Sequence, residues 1–187
     1  MTASTLSKPD AVVAWDRDAV AGPRSECLPR HGRTRRPLPG IAKVVASARV
    51  LDWRSAVTSE DAESRAAEAL DALRIDCPVL AADIAVVARS FLAQFDATEA
   101  SLRVEVVNTN TCPKFHCDNI RVRVVTTYHG PGTEYVFVAS PDDTRRGPTG
   151  ALMFLKGHKH ATHADAVLHR SPMVPSGEKR LCVVLDV

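Results

Sequence analysis

The sequence predicts an α+β protein in which a two-helix support layer precedes a double-stranded β-helix, or jelly roll. Three observations predict this class. Apolar residues recur at helical spacing between about residues 59 and 96, they alternate with polar residues from about residue 101, and Gly/Pro/Asp turns separate the alternating runs. Helices followed by many short strands are typical of α+β chains, and eight or so short strands are typical of a jelly roll.

Length and charge limit the possible functions. The chain has 187 residues, of which 45% are hydrophobic, so it is long enough for one domain with a core. Its 24 basic and 22 acidic residues nearly cancel, so bulk charge gives no basis for a nucleic-acid or membrane partner. Five cysteines at irregular spacing and the lack of a membrane-length apolar run favour a reducing, cytoplasmic setting without structural disulfides.

The elements follow in order along the chain. Residues 1–40 are expected to be largely flexible, because Pro and Arg are abundant before residue 40, with a short apolar strand near residues 11–15. Residues 41–187 are expected to form a single domain. A helix at about residues 59–75 is predicted by early carboxylates and later apolar spacing, and a second helix is predicted at about residues 79–96.

The jelly roll is predicted over about residues 101–187. Alternation of apolar and polar residues is strongest in the runs 102–107 and 120–128. Shorter strands are predicted at 135–138, 150–155, 166–169 and 180–187. The predicted turns that separate them are at 130–132, 141–143, 147–148 and 175–177.

A His-x-Asp pair followed by a distant His indicates a metal site. Side chains alternate along a strand, so His116 and Asp118 project to the same side, about 6.6 Å apart along the chain. His169, at the end of another predicted strand, would complete a set of two imidazoles and one carboxylate that leaves positions open on the metal. That donor set suits non-haem Fe(II), and zinc, manganese and nickel accept the same donors.

A basic pair after the last His indicates an anion site. Lys179 and Arg180 begin the last predicted strand, so only one of them can face inward. A buried cation is costly unless it is paired, and a dicarboxylic acid such as 2-oxoglutarate would supply the partner. Arg180 is favoured because a guanidinium group suits a carboxylate, with Lys179 as the alternative.

Other residues allow alternative sites. The loop from His158 to His163 is rich in histidine and is interpreted either as a second, zinc-type site or as a solvated loop. Cys112, Cys117 and Cys182 are candidates for a thiolate zinc site in place of the His/Asp/His set. Cys112 is also a candidate nucleophile, against the simpler reading of a buried apolar residue.

The same residues resemble the prolyl-hydroxylase branch of the 2-oxoglutarate and Fe(II)-dependent oxygenases. The likeness covers about residues 102–187 and includes His116-Cys-Asp118-Asn119, the run to Tyr128, His169 and Gly177-Glu178-Lys179-Arg180. This resemblance implies that His116, Asp118 and His169 bind iron. It also implies that the basic residue of the last strand binds the distal carboxylate of 2-oxoglutarate, assisted by Tyr128.

A closer resemblance is to domain of unknown function 1826. Its pattern is similar to Cys112-Pro-Lys-Phe-His116-x-Asp118, Thr127-Tyr128-x-Gly-Pro-Gly-Thr-Glu134, Leu155-Lys-Gly157 and His169-Arg-Ser-Pro172, and to the segment Val13-Ala-Trp-Asp-Arg17. Arg170, beside the predicted ligand His169, brings a second cation to the site. It would bind substrate or replace the expected contact to 2-oxoglutarate.

Two functional hypotheses follow. The first is a cytoplasmic Fe(II)- and 2-oxoglutarate-dependent dioxygenase-like enzyme, with a small-molecule co-substrate and neither a nucleic-acid nor a membrane partner. The alternative is a non-enzymatic zinc-binding or metal-homeostasis module of the same fold. In that module zinc, as the alternative metal, would occupy His116, Asp118 and His169, with the His158–His163 loop assisting.

Overall fold

The structure is a computed structural model and describes residues 27–28 and 38–187. Within these ranges there are three helices, α1 (Ile41–Ser47), α2 (Ala62–Ala72) and α3 (Pro78–Gln94). The same ranges contain nine strands: β1 (Cys27–Leu28), β2 (Leu51–Val57), β3 (Ala100–Val107), β4 (Val122–His129), β5 (Glu134–Phe137), β6 (Ser140–Arg146), β7 (Leu152–Lys156), β8 (Val167–Arg170) and β9 (Arg180–Asp186). All pairings among these strands are antiparallel, which confirms a mixed α+β fold with antiparallel sheets. The strand predicted near residues 11–15 lies outside the described residues.

The larger sheet forms the middle layer of the fold. Of the described strands, six belong to it, in the order β1-β7-β4-β9-β3-β2. Side chains alternate between its two faces. On β9, Leu181 and Val183 pack with the helices, whereas Cys182 and Val184 pack with the smaller sheet. Both faces of the central strands are therefore covered.

The helices pack on one face of the larger sheet. Helix α3 begins at Pro78, whose fixed φ suits the first position of a helix. Its apolar side chains at helical spacing are almost fully buried: Leu80, Ile84, Val87, Phe91 and Leu92. Burial of a side chain of this size stabilises the fold by about 1.5–3 kcal/mol. This apolar stripe therefore accounts for much of the contact between the helical layer and the sheet.

One helix is not predicted by the sequence. The periodicity predicts two helices, and the structure adds α1 ahead of them. Helix α1 has only seven residues, of which Ile41 and Val45 are buried, so it is too short to give a clear helical period. None of the helices in the described ranges combines the length and the apolar character needed to cross a bilayer.

The smaller sheet covers the other face of the larger one. Its order is β6-β5-β8. Buried side chains from both sheets form one apolar cluster: Val125, Tyr135, Met153, Leu155, Val167, Cys182 and Val184. The turn predicted at residues 141–143 is wrong, because these residues lie within strand β6. All seven of its residues are exposed, so it shows no alternation, and Pro141 is tolerated because β6 is an edge strand.

Candidate metal centre

The three predicted metal ligands come from two parts of the chain that are joined by backbone hydrogen bonds. His116 and Asp118 precede β4, and His169 lies on β8. The His116 amide donates to the His169 carbonyl at 3.0 Å, and the His169 amide donates to the His116 carbonyl at 2.9 Å. Residues directly opposite each other in an antiparallel pair project to the same face. The two imidazole rings accordingly lie 4.6 Å apart, measured between their centroids.

The carboxylate of Asp118 contacts both imidazoles. Its Oδ2 atom is 2.9 Å from His169 Nε2, and its Oδ1 atom is 3.7 Å from His116 Nε2. One ligand atom from each residue lies within 4.8 Å of the other two. Two atoms that each coordinate an ion at about 2.0–2.2 Å are about 3–4 Å apart. A single metal ion can therefore contact all three residues after small side-chain movements.

A buried nitrogen supports the fit of a metal ion to these residues. His169 is only 7% exposed, and its Nε2 atom has no hydrogen bond to any described residue, because the short contact with Asp118 is not aligned as one. An unsatisfied buried polar atom costs about 1–3 kcal/mol. A metal ion coordinated by Nε2 would remove that cost.

The second imidazole is oriented by the backbone. His116 Nδ1 lies 2.9 Å from the Lys114 carbonyl. A carbonyl can only accept, so Nδ1 must be the protonated nitrogen, and Nε2 keeps the lone pair. A ligating histidine commonly donates its other ring N–H in this way. His116 is thus held in the tautomer that a metal ligand at Nε2 requires.

The site keeps the carboxylate charged and the buried imidazole neutral. Burial raises the pKa of Asp118, but the contact with His169 and the charges of Arg123, His169 and His116 outweigh it and hold that pKa at about 2. Arginine is always charged, so its share of the effect persists when the histidines are neutral. Burial lowers the pKa of His169, and the nearby Asp118 only partly opposes this. An ionised carboxylate and a neutral imidazole are the forms that bind a divalent cation.

Arg123 positions the carboxylate ligand, although the sequence analysis does not single it out. Its Nη1 atom donates to Asp118 Oδ2 at 2.6 Å, and its Nε and Nη2 atoms donate to the two carboxylate oxygens of Asp186 at 2.7 and 2.8 Å. Arg123 lies on β4, on the same face as Val125. A charged residue in an otherwise apolar, buried strand is the sequence signal that could have identified it.

A cavity of about 490 Å³ lies beside the three ligands. Strands of both sheets contribute to its lining. Among the described residues, five arginines and three carboxylates line it: Arg54, Arg103, Arg123, Arg170, Arg180, Asp52, Glu105 and Asp118. Asp186 and Glu134, outside the lining, pair with Arg123 and Arg170. The uncompensated positive charge therefore lies at the other end and favours an anionic ligand, because three arginines face two carboxylates there: Arg54, Arg103, Arg180, Asp52 and Glu105.

Arg180 lies inside this cavity and is itself hydrogen-bonded. It is 2% exposed, with Nη1 at 3.3 Å from Glu105 Oε1 and Nη2 at 3.2 and 3.0 Å from the hydroxyl oxygens of Thr127 and Thr133. Arg103 approaches the other oxygen of Glu105 at 3.7 Å. Two cations thus share one buried carboxylate, so this end of the cavity keeps one formal positive charge.

Lys179 and Tyr128 lie away from the cavity. The Lys179 ammonium donates to the carbonyls of Ala46 and Ala48, at 2.8 and 2.6 Å, at the carboxyl end of α1. Tyr128 faces the helices, and its hydroxyl donates to Asp83 at 2.6 Å. The predicted co-substrate contacts of these two residues therefore do not fit their positions. Lys179 immediately precedes β9, whose first residue Arg180 lines the cavity, and Tyr128 lies on the opposite face of β4 from Thr127, whose hydroxyl accepts from Arg180.

Arg170 lines the cavity next to His169. Its Nε atom donates to Glu134 at 2.8 Å, and its guanidinium group lies 4.2 Å from the centre of the Phe115 ring. Burial raises the pKa of Glu134, but the hydrogen bonds and charges of Arg146 and Arg170 lower it by more. The pKa of Glu134 is therefore below its usual value. Arg170 is therefore held at the cavity wall by an ion pair and an aromatic ring.

The three cysteines proposed as a thiolate site are separated. Cys112 is exposed, with Sγ at 3.7 Å from His116 Nδ1, whereas Cys182 is buried beside Arg180. Cys117 instead lies near His158 and His163. In the described part of the chain, neither cluster of potential metal ligands contains more than one cysteine. The predicted zinc site built from Cys112, Cys117 and Cys182 is therefore wrong.

Several solved structures are similar to this chain. A dioxygenase for auxin oxidation from rice shares 14% identity, with 78% of this chain and 60% of that chain covered and a TM-score of 0.45. A prolyl-4-hydroxylase from Pseudomonas putida shares 16% identity, with 79% and 93% covered and a TM-score of 0.42. The hydroxypropylphosphonic acid epoxidase from S. wedmorenis shares 17% identity, with 47% and 43% covered and a TM-score of 0.34.

The chain spans less than two thirds of the rice dioxygenase and less than half of the epoxidase. No curated protein matches the chain. One family profile does match, over residues 10–186, and it spans the candidate metal ligands as well as the helices. The chain therefore belongs to the family described as "Protein of unknown function (DUF1826)".

Proposed function

We propose that this protein is an Fe(II)- and 2-oxoglutarate-dependent oxygenase whose metal is held by His116, Asp118 and His169. The observation that supports this most directly is the convergence of two imidazoles and one carboxylate around the unsatisfied Nε2 atom of His169. Two histidines and one carboxylate with open coordination positions are typical of non-haem Fe(II) oxygenases.

We also propose that the two sheets form a double-stranded β-helix. The large and small sheets enclose a common apolar cluster, and the ligand cavity has lining residues from both. In such a fold the interior between the sheets is available for ligands. The His116–His169 backbone bridge would then join the segment before β4 to the smaller sheet at the edge of that interior.

The residues around the metal would keep the site ready to bind the ion, and they would not take part in bond cleavage. Asp118 would supply a negative charge, because its pKa of about 2 keeps it ionised at neutral pH. Arg123 would hold the carboxylate in place, and the Lys114 carbonyl would hold His116. Fe(II) bound here would supply the activation of dioxygen and the oxidative decarboxylation of the 2-oxoacid.

The co-substrate would enter the positively charged end of the cavity. A volume of about 490 Å³ is within the range of small-molecule sites. Arg180 and Arg103 share the single carboxylate of Glu105, so a second carboxylate, from 2-oxoglutarate, would complete the charge balance. Thr133, which already accepts from Arg180, would be close to the same group.

Arg170 would orient the substrate. It lines the cavity beside His169 and is fixed by Glu134 and Phe115, so its guanidinium group has a defined position. Ser171, the next residue, also lines the cavity. A substrate with an acidic or hydrogen-bond-accepting group would fit this part of the wall.

Anaerobic titration tests the metal and co-substrate together. Full-length protein loaded with Fe(II) should develop a weak visible charge-transfer band when 2-oxoglutarate is added, and should form succinate when air is admitted. Asp118→Asn should weaken iron binding at least about 10- to 100-fold, because a ligand charge is lost. Asp52→Asn is the matched control, since Asp52 lines the same cavity without being a proposed ligand.

The outcomes separate the parts of the proposal. Equal iron affinity in the Asp118→Asn and Asp52→Asn variants would show that the ligand assignment is wrong. Iron binding without a charge-transfer band and without succinate would contradict the use of 2-oxoglutarate but not the metal site.

A further inference from the structure

A second cluster of metal-ligating side chains lies next to the first. Cys117, His158 and His163 each offer one ligand atom within 4.8 Å of the other two. Cys117 stands between His116 and Asp118 in sequence but belongs to a different cluster. This is expected of an extended segment, in which successive side chains point to opposite sides.

The loop that contains the two histidines is fixed against this segment by its backbone. The amides of Gly157, His158 and Lys159 donate to the carbonyls of Arg121, Asp118 and Ile120 at 3.1, 2.9 and 3.0 Å. A Cβ atom on Gly157 would lie 2.2 Å from the Ile120 carbonyl oxygen and 2.7 Å from that of Asp118. Glycine is therefore required for the loop to approach so closely.

A carboxylate lies beside the two imidazoles. Asp165 Oδ1 lies 2.8 Å from His163 Nε2 and 3.7 Å from His158 Nδ1. The two imidazole rings are 4.8 Å apart and nearly perpendicular, at 80°. One thiol and two imidazoles thus converge from a loop and a neighbouring segment, and the Asp165 carboxylate lies beside the imidazoles.

The third histidine of the loop has another role. His160 Nδ1 accepts a hydrogen bond from the Thr162 amide at 3.1 Å, and the Thr162 hydroxyl oxygen accepts one from the Lys156 ammonium at 2.8 Å. This network orders the loop interior and turns His160 away from the cluster. His163 is largely buried, with a side chain 9% exposed, whereas the side chain of His158 is 48% exposed.

We propose that Cys117, His158 and His163 bind a zinc-type divalent cation at a site separate from His116, Asp118 and His169, with Asp165 orienting His163. A thiolate and two imidazoles are ligands that Zn²⁺ accepts in tetrahedral sites, and the thiolate disfavours Mg²⁺ and Ca²⁺. The ion would cross-link the loop of residues 157–165 to the tripeptide of residues 116–118. This proposal does not depend on the proposed oxidation.

Cobalt substitution tests the second site. In full-length protein with His116→Ala and His169→Ala, which removes the first site, Co²⁺ should bind at one equivalent. It should give a thiolate charge-transfer band and the intense visible bands of tetrahedral Co²⁺. Adding Cys117→Ser should abolish the thiolate band. Adding His158→Ala, at a half-exposed position where folding should be retained, should weaken Co²⁺ binding at least about tenfold.

Matched variants exclude other thiols and histidines. Cys77→Ser and His129→Ala, made in the same background, should leave the bands and the affinity unchanged. The proposal is overturned if no thiolate band forms, if the band persists after Cys117→Ser, or if Cys112→Ser abolishes it instead. An unchanged affinity in the His158→Ala variant would also overturn it.

Discussion

At the scale of single residues, Lys179 and Arg180 differ in role because their side chains extend in different directions at the start of β9. The Arg180 guanidinium is buried in the cavity with Glu105, and the Lys179 ammonium binds the last carbonyls of α1. A basic group near the carboxyl end of a helix is favourable because it neutralises the free carbonyls there. One cation therefore serves the proposed ligand site and the other serves the packing of a helix.

Substituting these two residues should have separate effects. Arg180→Lys should lower 2-oxoglutarate affinity at least about tenfold, because an ammonium group lacks the planar fork of donors that a guanidinium group offers. Lys179→Ala should leave that affinity unchanged and lower the free energy of unfolding by about 1 kcal/mol. Calorimetric titration of the Mn²⁺-loaded protein and urea denaturation measure the two quantities. A similar loss of affinity in both variants would contradict the assignment of Arg180.

The same alternation explains which residues of the site could be predicted. His116, Asp118 and His169 are identifiable because they are polar residues next to alternating strands, and the structure brings them together. Tyr128 and Thr127 are both buried, so the sequence does not indicate which of the two contacts Arg180. Partners from distant strands, such as Glu105 for Arg180, leave no local signal, because the contact joins residues far apart in the chain.

At the scale of elements, predictability follows burial. Helix α3 and the strands β3, β4 and β9 have regular apolar patterns and coincide closely with predicted elements. Strand β6 is fully exposed, and β2 is an edge strand with every second residue exposed, so neither has the apolar run that indicates a strand. The sequence thus specifies elements that are packed on the core better than those at the sheet edges.

The apolar stripe of α3 should dominate the attachment of the helical layer. Phe91→Ala should lower the free energy of unfolding by about 3–5 kcal/mol, because a fully buried aromatic side chain leaves a cavity. Val79→Ala, on the same helix at a position 39% exposed, should lower it by less than about 0.5 kcal/mol. Urea denaturation of both variants gives the comparison. Equal effects would mean that α3 does not pack on the sheet as described.

At the scale of the whole molecule, the fold has three layers: helices, the larger sheet and the smaller sheet. The apolar cluster on the helical side is the larger of the two, and it includes most of the described core. The smaller sheet packs on the larger one through the smaller apolar cluster, and its own strands are also linked by charge. Glu134 on β5 pairs with Arg146 on β6 and with Arg170 on β8.

The ion pairs of Glu134 should make the free energy of unfolding depend on pH in the acid range. The pKa of Glu134 is lowered in the folded state, so its stabilising effect is present above its ordinary value of 4.5 and is lost as pH falls through the folded pKa. Glu134→Gln should therefore be less stable than the parent at neutral pH, with a difference that shrinks below about pH 4.5. Denaturation across pH 3–7 measures it, with exposed Glu178→Gln as the control. A difference that stays constant in acid would contradict the ion pairs.

The backbone bridge between His116 and His169 has a consequence for how metal is exchanged. Because folding itself brings the two imidazoles together, they form a chelate before any ion arrives, and little further ordering is needed on binding. At the proposed metal site, loading should then need no local unfolding, and the ordering cost that is avoided should appear as tighter binding. In this respect the pair differs from zinc fingers, whose ligands are assembled only by the metal.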